Sequence, residues 1–216
     1  MAEPMPTPPD ALLLVAPSCP HCAAVLEGLA ALVKEGAIGR LEVINAAVHP
    51  GAAAARGAKS VPWFSIGRMR FDGAMSPGEL RQWARRASDP DVMPAYFLAM
   101  LRSGRRRHVE ALIREDPPAS LALVALLEDP EASMAVRLGI AAVLESLQGT
   151  ALAAAMVPGL GRLAGAPDAR LRADACHYLS LIGGTEAIPT FRAGLADEDA
   201  EVREICAEAL AALEKP

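Results

Sequence analysis

The chain has 216 residues, of which 52% are hydrophobic and 22% charged, with a formal net charge of −5. That balance excludes disorder throughout, and the length suffices for one large domain or two small ones. Residues 1–90 hold 9 Lys/Arg against 8 Asp/Glu and residues 91–216 hold 12 against 18. Neither part has the basic excess of sequence-independent nucleic-acid binding, so no nucleic-acid partner is expected.

Residues 1–10 are Pro-rich and read as a flexible N-terminus. The apolar stretch from Ala11 to Ala16 is too short to cross a membrane, and Glu3 and Asp10 precede it where a signal peptide carries basic residues. A cytoplasmic protein without membrane association is expected. In a reducing compartment four cysteines do not form a stapling framework. The spacing of Cys19 and Cys22 points instead to redox chemistry, or to a metal half-site in need of two further ligands. Only Cys176, His177 and Cys206 are further soft candidates of note, so neither a metal nor a cofactor is expected.

Ala11-Leu-Leu-Leu-Val15 is a continuous apolar run of strand length, ending at Pro17. Pro20 stands where a first-turn proline belongs, and Ala23, Leu26, Leu29, Ala30 and Val33 follow at helical spacing up to Gly36. Leu41-Glu-Val-Ile44 reads as a second strand, and His49 to Arg56 as a helix closed by Gly57. This β-α-β-α order implies a parallel strand pair. Trp63-Phe-Ser-Ile66 and Arg68-Met-Arg-Phe71, hinged on Gly67, read as an antiparallel hairpin. Ser76-Pro-Gly-Glu79 is a capping-box pattern, and it opens a helix with Leu80, Trp83 and Ala84 on one face. Pro and Asp mark a boundary between Ser88 and Pro94, which divides the chain into residues 11–88, a linker over 89–94, and residues 95–216.

Beyond the boundary no strand signal occurs, and an internal repeat organises the helices. A shift of 31 residues places Val157-Pro158 on Ile188-Pro189, Leu160 on Phe191 and Leu171-Arg172 on Val202-Arg203. Val136-Arg137 lies 35 residues before Leu171-Arg172, with four extra residues between Thr150 and Pro158. Each unit reads as a helix pair that stacks on its neighbours to bury its apolar face. Residues 95–128 read as an irregular first pair. Arg172 and Arg203 are expected to form ion pairs with Asp168 and Asp197 or their neighbours, and Cys176 and Cys206 to act as core fillers. Arg105-Arg-Arg-His108 reads as a solvated charge run.

Ala16-Pro-Ser-Cys-Pro-His-Cys22, the Ser60-Val-Pro62 tripeptide ending 40 residues after Cys22, and the following hairpin and helix resemble the small glutaredoxin-like members of the thioredoxin-like superfamily. The resemblance implies an α/β thioredoxin-like domain. It also implies a cis peptide before Pro62, and a substrate segment running beside Val61, Pro62 and Trp63, the last of which reads equally as a core residue. Ser18 replaces the tryptophan thioredoxins place before the first cysteine, and Leu13 stands near the position of their buried acid. Asp72-Gly-Ala-Met-Ser76 lacks the glutathione-binding turn of glutaredoxins. Asp129-Pro-Glu, Asp168-Ala-Arg-Leu-Arg172 and Asp197-Glu-Asp-Ala-Glu-Val-Arg203 resemble short bacterial HEAT-like repeats. That implies an all-α helical-repeat domain that binds a protein partner.

Disulfide exchange needs a thiolate that attacks and a second thiol that resolves the mixed disulfide. A helix start favours negative charge on Cys19, so Cys19 is read as the nucleophile and Cys22, one turn on, as the resolving thiol. Pro20 and His21 tune the pair, the proline by presetting the turn and the imidazole by stabilising a thiolate when protonated. The function expected is a thiol–disulfide oxidoreductase acting on protein disulfides, with the repeats docking a partner and an electron donor such as a flavoprotein reductase. The alternative is a redox-sensing adaptor without turnover.

Overall fold

A computed structural model describes residues 7–129 and 132–213. Residues 1–6 of the N-terminal segment, and Pro130 and Glu131 of the first Asp-Pro-Glu motif, lie outside the described residues. The chain divides into two compact units between Val92 and Met93. Among the described residues no helix is long and apolar enough to cross a membrane.

The first unit is built in the order β1 (Ala11–Val15), α1 (Cys22–Lys34), β2 (Leu41–Asn45), α2 (Pro50–Ala54), β3 (Trp63–Ile66), β4 (Met69–Asp72) and α3 (Pro77–Arg86). The sheet order is β2-β1-β3-β4. β1 runs parallel to β2, with Leu13 opposite Val43, and antiparallel to β3, with Leu13 opposite Phe64. Its uninterrupted apolar sequence suits this interior place, and Leu13 and Leu14 are fully buried. The β3/β4 hairpin turns on Gly67-Arg68, where Ile66 faces Met69 and Gly67 takes the positive φ of 56° that such a turn requires. Leu13, Phe64 and Phe71 lie side by side across three strands, Phe71 stacks on Phe64 at 5.2 Å, and Trp83 of α3 closes over Phe71 at 5.5 Å.

The helices differ from the sequence reading in three respects. α1 begins at Cys22, not around Pro20. Its buried face is Val25, Leu29 and Leu32, whereas Ala23, expected inside, is exposed. α2 is cut to five residues, since His49 before Pro50 is held out of helical geometry at φ −121°, ψ 68°, and none of its residues is buried. The tail of the segment read as flexible is tied down: Pro9 accepts a hydrogen bond from Gly39 N at 3.0 Å, Asp10 pairs with Arg40 at 3.0 Å, and Asp10 O accepts from Gly67 N at 2.8 Å. The capping box forms as its sequence dictates, with Glu79 N donating to Ser76 Oγ at 3.3 Å and Ser76 N donating to Glu79 Oε2 at 2.9 Å.

Helices from residue 92 onward are α4 (Val92–Arg102), α5 (Arg106–Glu115), α6 (Leu121–Leu127), α7 (Met134–Leu147), α8 (Ala151–Ala154), α9 (Val157–Leu163), α10 (Ala169–Ile182), α11 (Ile188–Gly194) and α12 (Ala200–Leu213), with 3₁₀ turns at Pro117–Ser120 and Gly184–Ala187. The stretch read as linker over 89–94 therefore closes on the first turn of α4, where Pro94 lacks no intrahelical hydrogen bond.

In the second unit a helix of 7 residues is followed by one of 14 three times over: α6 and α7, α9 and α10, α11 and α12. Residues 95–128 are thus not one irregular pair, because α6 already belongs to the first repeat. The four extra residues of the longer spacing are α8, Ala151–Ala154, with Thr150 as its N-cap. Neighbouring repeats meet along α6 and α9, α7 and α10, and α10 and α12.

The fourth residue of every long helix is an arginine. Arg137 Nε donates to Ala132 O at 3.2 Å, Arg172 Nη1 to Ala166 O and Pro167 O at 3.1 and 3.0 Å, and Arg203 Nη1 to Asp197 O and Glu198 O at 2.7 and 2.9 Å. Each ties the loop before a helix to that helix. Two also reach into the next repeat, Arg137 to Asp174 and Arg172 to Asp197. Asp168, expected to pair with Arg172, instead caps α10 by accepting from Arg170 N at 2.9 Å.

Candidate functional site

Because Leu14 faces Trp63 in antiparallel register, the residues after Leu14 and those before Trp63 come to the same end of the sheet. One side of that end carries the loop Ala16–His21, which leads into α1, and the other carries Val61-Pro62. Within the loop Cys19 N donates to Ala16 O at 3.2 Å, and Cys19 is joined to Cys22 in a disulfide with Cα atoms 5.5 Å apart.

The two cysteines differ in access. Cys22, the first residue of α1, is 5% exposed and packs inward with Val25, whereas Cys19 stands ahead of the helix and is half-buried. Cys22 opens α1, and the first N–H groups of a helix lack intrahelical partners and favour a negative charge nearby. His21 is the N-cap residue; its side chain makes no capping hydrogen bond and is exposed. Pro20 is exposed in the turn before the helix and not at its first position.

The peptide bond between Val61 and Pro62 is cis. Pro62 O accepts a hydrogen bond from Gly73 N at 2.9 Å, which fastens this loop to the end of β4. Of the three residues read as flanking a substrate, Val61 keeps partial exposure, Pro62 is buried and Trp63 is 4% exposed. Trp63 therefore belongs to the core, and its strand position opposite Leu14 gives the reason. Leu13, at the place of the acid expected from thioredoxins, is enclosed between Val43 and Phe64 on neighbouring strands.

The remaining cysteines are on α10 and α12, buried to 1% and 0% exposure. Burial pushes the Cys176 thiol up to about 12 and raises Cys206 as well, so both are held protonated and unreactive at neutral pH. Among the described residues no three His, Cys, Asp or Glu side chains converge to hold a metal ion. In the basic run, Arg106 donates to Ala142 O at 3.2 Å and lies 3.7 Å from Glu110. The sequence reading missed Asp174 as the partner of Arg137. It lies inside α10, not in an inter-helix loop as Asp197 does, so no repeat position announces it.

Residues 120–211 match the family model for HEAT repeats, a span that starts just before α6 and ends inside α12. No curated protein matches the chain.

Proposed function

We propose that this protein is a thiol–disulfide oxidoreductase with a thioredoxin-like first domain, and that its HEAT-like repeats dock the protein on which the dithiol acts. The observation that carries this reading is the unequal pair: a half-buried Cys19 and a buried Cys22 joined at the start of a helix, at one end of a four-stranded sheet. In the reducing direction the Cys19 thiolate attacks one sulfur of a substrate disulfide, forming a mixed disulfide and expelling the other sulfur as a thiolate. Cys22, having lost its proton, then attacks Cys19, and the second substrate thiolate leaves. Two electrons pass to the substrate, and the Cys19–Cys22 disulfide is restored. A donor of the same two electrons, such as a flavoprotein reductase, reopens it. Val61 offers backbone beside the loop for an extended substrate segment, and Pro20 and His21 tune the pair. The cytoplasm is the compartment in which this direction operates.

The test is Cys22→Ser in the full chain, which removes the resolving thiol. Mixed disulfides on Cys19 should accumulate and be identifiable by mass, and insulin reduction should be lost. A variant that traps nothing, together with a wild type that reduces neither insulin nor a small disulfide, rejects the enzyme. The HEAT match favours the second reading, an adaptor whose dithiol senses redox state without turnover. It predicts partner binding that changes with the state of Cys19 and Cys22 while no substrate is reduced.

A further inference from the structure

Between α10 and α12 lies a groove of about 420 Å³. Its lining includes Leu179, Phe191 and Ala209, which are 0%, 1% and 5% exposed, and more accessible Ala212 and Leu213 continue it along α12. Gln148, His177 and Ser180 make part of the wall polar, and carboxylates border it along α12. Glu208 lines the groove, and Glu201 and Glu204 precede it on α12 at spacings of seven and four residues, so the three form one stripe along the helix. All three are exposed. The nearest arginine in sequence, Arg203, has turned back to the carbonyls of Asp197 and Glu198. Among the described residues no Lys or Arg lines the groove, and His177 is the one basic side chain there.

We propose that this groove binds an amphipathic basic segment of a partner protein. Apolar side chains of the segment pack on Ile205, Ala212 and Leu213, and its Lys or Arg heads meet Glu201, Glu204 and Glu208. The match is one of spacing as well as sign. Seven residues of α12 cover roughly 10 Å, two turns of a partner helix with cations at matching intervals. An acidic segment would set like charges along the same wall. The proposal rests on the reading of the repeats as a docking scaffold and is independent of the dithiol chemistry.

The probe is a fluorescent Leu/Lys amphipathic peptide of about five helical turns, compared with a Leu/Glu peptide having the same apolar face. Neither contains cysteine, so binding to the full-length protein, read by fluorescence anisotropy, reports on the groove and not on disulfide exchange. The Leu/Lys peptide should bind about tenfold tighter than its acidic counterpart and weaken with added salt. Glu204→Lys with Glu208→Lys should cost about tenfold or more, and Glu204→Gln with Glu208→Gln a smaller loss in the same direction. Ala212→Trp, which fills the cleft from an exposed position without changing charge, should cost at least about fivefold. Glu27→Lys with Glu42→Lys, on the first unit, should leave binding within about twofold. Circular dichroism confirms that each variant is folded. Equal affinity for the two peptides, unchanged binding in Ala212→Trp, or a loss as large in the first-unit variant would overturn the proposal. A failure here, with Cys22→Ser still trapping its partners, would remove the groove and leave the oxidoreductase reading standing.

Discussion

Cys206 sits against Gly194: its Sγ occupies the space in which a β-carbon at position 194 would stand. The contact joins the end of α11 to the middle of α12 within one repeat and reserves position 194 for glycine. Gly194→Ala is expected to destabilise the protein by about 1–3 kcal/mol through overpacking, reduced by the roughly 1 kcal/mol that alanine otherwise contributes in a helix. Cys206→Ala opens the space, so Gly194→Ala introduced on that background should cost much less. Urea unfolding of the two single variants and the double variant checks this, and purely additive losses would refute the contact.

Thiol reactivity in the reduced protein should be strongly ordered. With its thiol pushed up to about 12 by burial, Cys176 is held protonated at pH 7, and it is only 1% exposed. Brief treatment with iodoacetamide, followed by peptide mass analysis, should label Cys19 first and leave Cys176 and Cys206 untouched until the repeats unfold. Labelling of Cys22, Cys176 or Cys206 ahead of Cys19 would reverse the assignment of the nucleophile.

Acid should loosen the joint between the last two repeats. Arg172 donates from Nε and Nη2 to the two carboxylate oxygens of Asp197, each at 2.8 Å. Those hydrogen bonds, followed by the one from Asp199 N, hold Asp197 below the usual carboxylate range. A carboxyl whose folded value lies below its unfolded one stabilises the fold fully above the unfolded value, roughly 3.9. That stabilisation is lost as pH falls through the lower folded value. Asp197→Asn should therefore lower the melting temperature at pH 7, and the difference from wild type should shrink in strong acid. Coincident melting curves at pH 7 would show that the pair contributes nothing.

The capping box of α3 should matter for stability and little for chemistry. Ser76→Ala removes the acceptor for Glu79 N and one partner of the Glu79 carboxylate, and such a cap loss costs about 1 kcal/mol. Denaturant unfolding should register that loss, whereas the rate of small-disulfide reduction by the folded variant should stay near wild type. A large fall in rate at unchanged stability would instead tie the start of α3 to the reaction.

Much of the architecture was legible because strong local signals agreed with the tertiary demand. The run Ala11–Val15 became the strand paired on both sides, Gly67 turned the hairpin, and Ser76 with Glu79 capped α3. The repeat period was legible from Val157-Pro158 and Ile188-Pro189, which open α9 and α11. α6 escaped because it lacks that Val/Ile-Pro opening and follows Pro117-Pro118, which opens a 3₁₀ turn leading into it. At the candidate site the cysteine spacing was legible, whereas the helix start was not. Pro20 suits a first turn, yet the disulfide loop holds it outside the helix, and His21 becomes the N-cap. The fate of Trp63 depended on a strand register that sequence alone does not supply.

Gly28 in α1 faces Leu80 of α3 so closely that a β-carbon there would lie 2.5 Å from Leu80 Cδ1. Two helices in such intimate contact cannot slide or roll past one another without collision. The helix that begins with Cys22 is thereby clamped to a scaffold that also holds Trp83 over Phe71. If the dithiol works as proposed, α1 serves as the fixed jaw of a vice that holds the resolving sulfur of Cys22 in place while Cys19, in the loop before it, meets the partner.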